Sequence, residues 1–250
     1  MLGYVRTVVE KLFGLRITRI STEDKKRLAD VSPEIWNTIE RARPFTMTSP
    51  ERLATLCMAV EYVAGNEVAG SFVECGVWRG GSSMAAAWTF ARLGHLVDMF
   101  LFDTFEGMSE PSKEDVSGHT GQSAAQLLAG ADQTSEIKAY APIIDVRSNM
   151  ESTGYPLSLL HFVQGKVEET VPSSAPDQIS ILRLDTDWYE STKHELLHLF
   201  PRLSRNGILI IDDYGDWVGA RKAVDEYFAA HGLKPFLARI DTTGRVYVKL

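Results

Sequence analysis

The stretch Phe72-Val-Glu-Cys-Gly-Val-Trp-Arg-Gly-Gly81 decides the fold, because a short apolar run ends there in an acid and then breaks into a glycine-rich turn. Glycine lets a backbone approach a ligand closely, and Ser82 or Ser83 can cap a helix that follows the turn. The stretch therefore predicts a strand, a tight turn and a helix N-terminus, with a nucleoside bound above them. The G-x-G-x-x-G pattern of NAD- and FAD-binding turns is not matched, because Trp78 and Arg79 occupy the third and fourth positions of the turn.

A second acid ends the next apolar run, Met99-Phe-Leu-Phe-Asp103. In a doubly wound sheet, an acid at the end of the second strand reaches the ribose hydroxyls of a nucleoside bound over the first. The distance from Gly80 to Asp103 is roughly the spacing that this role requires. A helix cap or a solvated loop carboxylate is the alternative for Asp103. The pattern Glu74-x-Gly76-x-x-x-Gly80 also resembles the first motif of Rossmann-like methyltransferases that use S-adenosylmethionine.

The composition limits the class of protein. A chain of 250 residues with 44% hydrophobic content can bury one sizeable core. Its net charge of -7 argues against a nucleic-acid partner, which needs a basic stripe to neutralise phosphates. The two cysteines, Cys57 and Cys75, predict core thiols in a reducing cytoplasm rather than a disulfide framework. Charged residues interrupt the apolar positions of residues 1–20, which predicts an amphipathic helix and no membrane span.

Apolar runs at residues 159–164, 179–185 and 207–213 predict three further strands, buried on both faces of a parallel sheet. Ser49-Pro50 predicts the start of a helix before the first strand, and Thr192-x-x-Glu195 predicts a capping box for a later one. A terminal β-hairpin, with its turn at residues 241–244, makes one strand antiparallel. We therefore expect an α/β fold with a mostly parallel seven-stranded sheet and helices on both faces.

We expect one domain over residues 1–250. Residues 1–70 form a helical N-terminal segment whose loop Arg43-Pro-Phe-Thr-Met-Thr48 can fold over a ligand, and residues 71–250 form the Rossmann-like core. The core carries an insertion at about residues 105–158 that lacks a long apolar strand. An insertion of that size in a compact domain is usually functional, and we interpret it as a lid.

Three carboxylates follow the last two parallel strands: Asp185 ends one, and Asp212 and Asp213 end the next. The carboxyl ends of parallel strands meet at one edge of the sheet, so these acids should converge. Their mutual repulsion favours a bound cation, and oxygen ligands select Mg²⁺, Mn²⁺ or Ca²⁺ over zinc. In the alternative reading Asp185 caps a turn, and Asp212 or Asp213 pairs with Arg183 or Arg221.

The segments Asp185-Thr-Asp-Trp-Tyr-Glu-Ser-Thr192 and Ile210-Ile-Asp-Asp-Tyr214 resemble the TylF/MycF family, the macrocin-type O-methyltransferases. Those enzymes also carry a Glu-x-Gly-Val-Trp-Arg-Gly-Gly turn, a strand that ends in Asp before Ser/Thr-Phe-x-Gly, and an upstream Thr-Met loop. The resemblance spans roughly residues 43 to 228. It implies the class I methyltransferase fold and metal-dependent methyl transfer from S-adenosylmethionine to a deoxysugar hydroxyl of an antibiotic-type natural product.

The resemblance also implies site residues and partners. Mg²⁺ or a similar cation would be held by Asp185, Asp212 and Asp213. S-adenosylmethionine would contact Thr46, Met47, Glu74, Gly76, Val77, Arg79, Gly80, Ser82, Asp103 and Phe105. The acceptor would be a glycosylated small molecule, and the enzyme a cytoplasmic homo-oligomer without nucleic-acid or membrane partners.

The sequence offers three candidates for the catalytic base: His119 in the lid, Asp187, and Asp185 itself. His119 has the ordinary pKa closest to neutrality and would reach the acceptor when the lid closes. Asp187 shares the face of Asp185 if the strand continues, whereas a turn would direct it elsewhere. Asp185 is a poorer base if it holds a cation. His119 is slightly favoured.

Two other functions stay open at this level. A catechol-type O-methyltransferase uses a similar arrangement of acids but places a lysine three residues past the first acid, where this chain has Trp188. A non-catalytic nucleoside- or metal-binding module would use the same acids for binding alone.

Overall fold

The computed structural model describes residues 22–132 and 135–250. Within these residues seven strands form one sheet, in the order β3-β2-β1-β4-β5-β7-β6. The strands are β1 (Ser71–Cys75), β2 (Met99–Asp103), β3 (Leu160–Gln164), β4 (Ile179–Leu184), β5 (Leu203–Ile211), β6 (Ala238–Arg239) and β7 (Arg245–Val248). The first five strands are parallel, and β7 runs antiparallel to both β5 and β6. The predicted α/β fold with one antiparallel strand is confirmed.

Helices cover both faces of this sheet. They are α1 (Thr22–Arg27), α2 (Pro33–Ala42), α3 (Pro50–Gly65), α4 (Gly81–Leu93), α5 (Ala124–Gly130), α6 (Ile143–Glu151), α7 (Val167–Thr170), α8 (Tyr189–Leu199) and α9 (Val218–Ala230). Helices α3 and α4 pack on one face, where Phe72, Leu101 and Ile181 are buried. The other face packs Val73 and Leu182 against α8 and α9. This alternation follows from the two-residue repeat of a strand, and it sends Glu74 and Arg183 to the α3–α4 face.

Of the three helix starts predicted from the sequence, one agrees with the structure and two differ. Ser49 caps α3 and accepts a hydrogen bond from the backbone N–H of Arg52, as predicted. The prediction that Ser82 or Ser83 caps α4 is wrong, because Gly80 occupies the cap position and α4 begins at Gly81. The predicted capping box is also wrong, since α8 begins earlier, at Tyr189, and encloses both of its residues. The earlier start frees the box residues to contact the interior of the protein.

The insertion between β2 and β3 contains α5 and α6. Its first half is anchored by Asp115, which is fully buried and accepts hydrogen bonds from the backbone N–H groups of Ser112 and Tyr189. Trp188 and Trp217 pack against this half, with their ring centroids 4.9 Å apart. The anchor therefore fixes this part of the insertion to the N-terminal ends of α8 and α9.

The amphipathic helix predicted for residues 1–20 lies outside the described residues. None of the helices in the described ranges is long and apolar enough to cross a membrane. The single domain, the homo-oligomer and the cytoplasmic location stay predictions.

Substitution of Gly76 tests the tight turn after β1. Gly76 has a φ of 83°, and a Cβ there would lie 2.0 Å from the backbone carbonyl oxygen of Asp185. We expect Gly76→Ala to lower the free energy of unfolding by about 3–5 kcal/mol, because left-handed strain and a backbone clash add. Gly94→Ala is the matched control, since Gly94 also has a positive φ but open space around it; it should cost about 1–2 kcal/mol. Equal losses in urea denaturation would contradict this account.

Candidate active site

A cavity of about 330 Å³ lies at the carboxyl ends of the parallel strands. Its walls come from the loop before α3, the turn after β1, the ends of β2, β4 and β5, and the insertion. Backbone hydrogen bonds align the strand ends: the N–H of Asp185 donates to Cys75, and the N–H of Asp212 donates to Leu184. The alignment brings the acids that follow different strands to one opening, as the sequence predicts.

Asp103 is held rigidly at the end of β2. Its Oδ2 accepts hydrogen bonds from the backbone N–H groups of Val77 and Trp78 at 2.6 and 2.9 Å, and its Oδ1 accepts one from Phe105 at 2.7 Å. Burial raises the pKa of Asp103 above its ordinary value, and the three backbone hydrogen bonds oppose that rise. The glycine turn and the acid thus form one unit in the cavity wall.

The structure divides the ten residues that were predicted to contact a cofactor. Six of them line the cavity: Thr46, Met47, Gly76, Val77, Ser82 and Asp103. The other four, Glu74, Arg79, Gly80 and Phe105, do not line it. Arg79 stacks its guanidinium over the Trp78 ring at 5.0 Å, and its carbonyl oxygen accepts a hydrogen bond from Asn149. Gly80 instead packs against α6, where a Cβ would meet Val146 and Met150.

Arg183 does not line the cavity itself but is buried behind residues that do, with only 2% of its side chain exposed. Its Nη1 donates to Glu74 at 2.5 Å and to Asp185 at 2.6 Å. Its Nη2 donates to Asp212 at 2.7 Å and to the hydroxyl of Thr48 at 2.9 Å. Glu74 is buried as well and also accepts a hydrogen bond from Ser83. Glu74, near the end of β1, therefore takes part in an internal ion pair.

Arg52, on α3, is a second cation beside the same acids. It forms an ion pair with Asp212 through Nη1, and its Nε lies 3.0 Å from Asp241 in the hairpin turn. Sequence reasoning missed Arg52, because a charged residue on an amphipathic helix carries no signal of its own. Of the two arginines that the sequence suggests as partners for Asp212 or Asp213, Arg183 pairs with Asp212. Arg221, the other candidate partner, donates to the carbonyl oxygen of Tyr214.

Among the residues that the structure describes, Asp185, Asp187 and Asp213 form a group of acids that could hold a metal ion, since one oxygen from each lies within 4.8 Å of the others. Burial raises the pKa of Asp185 and of Asp213 well above the ordinary value, and neighbouring carboxylates add to the rise. Burial and Asp185 raise the pKa of Asp187 to about 8. The ionised forms of these acids are therefore poorly compensated by the protein alone, and the group holds its protons more tightly than ordinary carboxylic acids do.

This group differs by one residue from the set that the sequence predicted. Asp212 lines the cavity, but its two oxygens face Arg183 and Arg52. Asp187 lies in the group instead, because its left-handed backbone, with a φ of 67°, turns the chain after β4. A cluster of carboxylate oxygens that lacks compensating charge fits a hard divalent cation such as Mg²⁺.

Glu195 of α8 contacts the turn that positions Asp187. Glu195 is fully buried and accepts a hydrogen bond from the hydroxyl of Thr186 at 2.9 Å. Burial raises the pKa of Glu195 well above its ordinary value. The sequence pattern predicts a capping box for Glu195, and for that reason it does not indicate the contact of Glu195 with the site.

The three candidate bases lie at different places. Asp185 and Asp187 line the cavity, whereas His119 does not. The His119 side chain is 54% exposed, and its Nε2 lies 3.2 Å from Asp216. Trp188, at the catechol-type lysine position, is buried and donates to the carbonyl oxygen of Ser109. The geometry favours Asp187 over His119.

The sheet order, the antiparallel β7 and the acid-lined cavity at the strand ends are those of the class I methyltransferase fold. The chain matches the macrocin O-methyltransferase (TylF) family over residues 17–249 and belongs to that family.

Relatives and a solved structure agree with this assignment. The chain is 34% identical over 200 residues to the 8-demethyl-8-(2,3-dimethoxy-alpha-L-rhamnosyl)-tetracenomycin-C 4'-O-methyltransferase of Streptomyces olivaceus, covering 80% of this chain and 73% of that protein. It is 30% identical to the demethyldecarbamoylnovobiocin O-methyltransferase of Streptomyces niveus, covering 81% and 75%. The solved structure of the O-methyltransferase NovP superimposes with a TM-score of 0.71 at 28% identity, covering 85% of this chain and 87% of NovP.

The carboxylate group makes stability depend on pH when no cation is supplied. The pKa of Asp187 is about 8 in the folded protein against an ordinary value of 3.8. Between these values the folded state keeps a proton that the unfolded state has lost, so stability falls as pH rises. In EDTA we expect Asp187→Asn to unfold at a higher temperature than wild type at about pH 8, and this difference should be clearly smaller at about pH 5, which lies closer to the ordinary pKa.

The control for this comparison is Asp30→Asn, which changes an exposed acid that does not line the cavity and should leave both unfolding temperatures close to those of wild type. A lower unfolding temperature for Asp187→Asn at about pH 8 would contradict the repulsion described above.

Proposed function

We propose that this protein transfers a methyl group from S-adenosylmethionine to a hydroxyl of a sugar attached to a natural product, with help from a divalent cation. One observation carries the proposal: the rigid unit of Gly76 and Asp103 and the carboxylates of Asp185, Asp187 and Asp213 open into the same cavity. A nucleoside site and a cation site in one cavity are what metal-assisted methyl transfer requires.

The cofactor wall consists of Thr46, Met47, Gly76, Val77, Ser82 and Asp103. In this proposal the carboxylate of Asp103 accepts hydrogen bonds from the ribose hydroxyls, since its position at the end of β2 is the one that serves that role in doubly wound sheets. S-adenosylmethionine, when bound, supplies an activated methyl group. The backbone N–H groups that hold Asp103 keep the carboxylate oriented before the ligand arrives, which lowers the entropic cost of binding.

Asp185 and Asp213 hold the cation in this proposal, because they belong both to the set predicted from the sequence and to the group that the structure brings together. The cation, when bound, supplies Lewis-acid polarisation that lowers the pKa of the acceptor hydroxyl. Asp212 balances Arg52 and Arg183 beside them.

Asp187 takes the proton. A sugar hydroxyl is a weak acid, so a base within hydrogen-bond reach should assist its attack. The acceptor oxygen forms a bond to the methyl carbon as the bond from that carbon to sulfur breaks, and the hydroxyl proton passes to a carboxylate oxygen of Asp187. Asp187 lines the cavity next to the proposed ligands, and this position supports the role.

The acceptor class rests on the relatives. The S. olivaceus enzyme is named for methylation of a rhamnosyl tetracenomycin, and that likeness supports a glycosylated natural product as the acceptor here. The buried Trp188 at the catechol-type lysine position favours a sugar over an aromatic diol.

Methyl transfer to a panel of glycosylated natural products tests this function. With S-adenosylmethionine and Mg²⁺ we expect release of S-adenosylhomocysteine and a methylated product with at least one glycoside. The matching aglycones serve as controls and should give no product. EDTA should abolish turnover, and added Mg²⁺ should restore it. Full turnover after exhaustive chelation, with no metal retained by elemental analysis, would contradict the cation requirement.

Two substitutions of the same kind, aspartate to asparagine, distinguish the proposed base from a proposed cation ligand. Asp187→Asn should lower turnover by roughly 10²–10⁴ while Mg²⁺ still binds, because it removes the proton acceptor. Asp213→Asn should weaken Mg²⁺ binding itself. Calorimetry with Mg²⁺ measures binding, and single-turnover kinetics at saturating Mg²⁺ measures the chemical step. Loss of Mg²⁺ binding in Asp187→Asn would instead make Asp187 a ligand.

A further inference from the structure

Arg183 contacts residues of two sites in the cavity, the proposed cation site and the proposed cofactor site. Its Nη1 contacts Asp185, the proposed cation ligand, at 2.6 Å. Its Nη2 contacts the Thr48 hydroxyl at 2.9 Å. Thr48 belongs to the loop that contributes Thr46 and Met47 to the cofactor wall, and its hydroxyl lies 3.3 Å from that of Ser82 in the same wall. One buried side chain therefore spans both sites.

The energetic cost of this arrangement indicates a role beyond folding. A buried ion pair of this kind gains little stability over well-packed apolar residues, because both charges lose their hydration. The neighbouring strand residues on the same face are apolar: Ile181 precedes Arg183 on β4, and Phe72 precedes Glu74 on β1. The polar cluster begins only where the strands reach the cavity, and this placement favours a role in the site.

We propose that Arg183 is a positioning residue that couples the cation site to the cofactor site, so that each ligand strengthens the binding of the other. This inference rests on the function proposed above. Arg183 shares its donors among Asp185, Glu74, Asp212 and Thr48. A cation on Asp185 withdraws part of the carboxylate charge from Arg183. The guanidinium is then held more firmly by its other partners, which include Thr48, and the loop before α3 becomes ordered for the cofactor.

Thr48→Val tests this coupling with little disturbance of the core. Valine keeps the shape of threonine but cannot accept the hydrogen bond from Arg183, and all three ion pairs of Arg183 remain. The readout is the affinity for S-adenosylhomocysteine, measured by calorimetry with and without saturating Mg²⁺. This product lacks the sulfonium charge, so direct repulsion between the two ligands does not oppose the coupling.

In wild type we expect Mg²⁺ to increase the affinity for S-adenosylhomocysteine by about tenfold, within the usual range of coupling between sites. In Thr48→Val the increase should fall to within about twofold. The reverse experiment must give the same ratio, since coupling of binding equilibria is reciprocal. A direct contact between Thr48 and the cofactor would lower the affinity equally with and without Mg²⁺, and would leave the ratio unchanged.

Thr55→Val is the matched control. Thr55 is partly buried on α3, and its hydroxyl donates only within the helix, to the carbonyl oxygen of Glu51; the wild-type ratio should persist. Arg183→Lys provides a second variant, since one ammonium group cannot replace the planar fork that reaches four partners. It should also lose the coupling.

Three results would overturn the inference: no effect of Mg²⁺ on wild-type affinity, a wild-type ratio in Thr48→Val, or an equal loss in Thr55→Val. Failure of wild type to bind S-adenosylhomocysteine or Mg²⁺ at all is a different result. It would refute the proposed function, and the coupling with it.

Discussion

The buried guanidinium of Arg183 is the interaction on which the arrangement of the site depends. It sits in the interior between carboxylates that follow or belong to three parallel strands. Glu74 and Arg183 are opposite each other in the register of β1 and β4, and both side chains point to the α3–α4 face. Without this cation Glu74 and Asp212 would be buried charges with far less compensation, and their burial would be strongly destabilising. The sheet register and the ion-pair network thus require each other.

The network also explains why the acids at the strand ends differ in their roles. Asp212 has an arginine on each oxygen, so its charge is balanced within the protein. Asp185 shares Arg183 with Glu74 and Asp212, and the ion pairs of Arg183 do not include Asp187 or Asp213. Burial and mutual repulsion raise the pKa values of these three acids, which is the electrostatic signature of a site that lacks a positive charge. In the proposed function, a divalent cation would supply that charge.

The insertion lines part of the cavity, and its role as a lid stays a prediction. Asp115 and the Trp188–Trp217 pair fix its first half to the helices that follow β4 and β5. That anchoring leaves His119 at the outside, paired with Asp216, although its position in a glycine-rich loop suggested a base that closes onto the acceptor. The proposed function gives the role of base to Asp187, which the turn after β4 directs into the cavity. Glu195 supports that turn by accepting a hydrogen bond from Thr186.

The sequence by itself determined the strands, their acidic ends and the family. These signals are local: an apolar run, the acid that stops it and the glycine that follows lie within ten residues of one another. The helix at Ser49 was predictable for the same reason, whereas the starts of α4 and α8 were not, because Ser83 and Glu195 form tertiary hydrogen bonds in place of caps.

Only the tertiary structure decided which acid faces which cation. Glu74 and Arg183 are 109 residues apart in the chain, and Arg52 and Asp212 are 160 apart. Such pairs follow from strand register and helix packing, which no short stretch encodes. For that reason the sequence identified four aspartates at two strand ends, but the fold alone assigned Asp212 to the arginines and gathered Asp187 with Asp185 and Asp213.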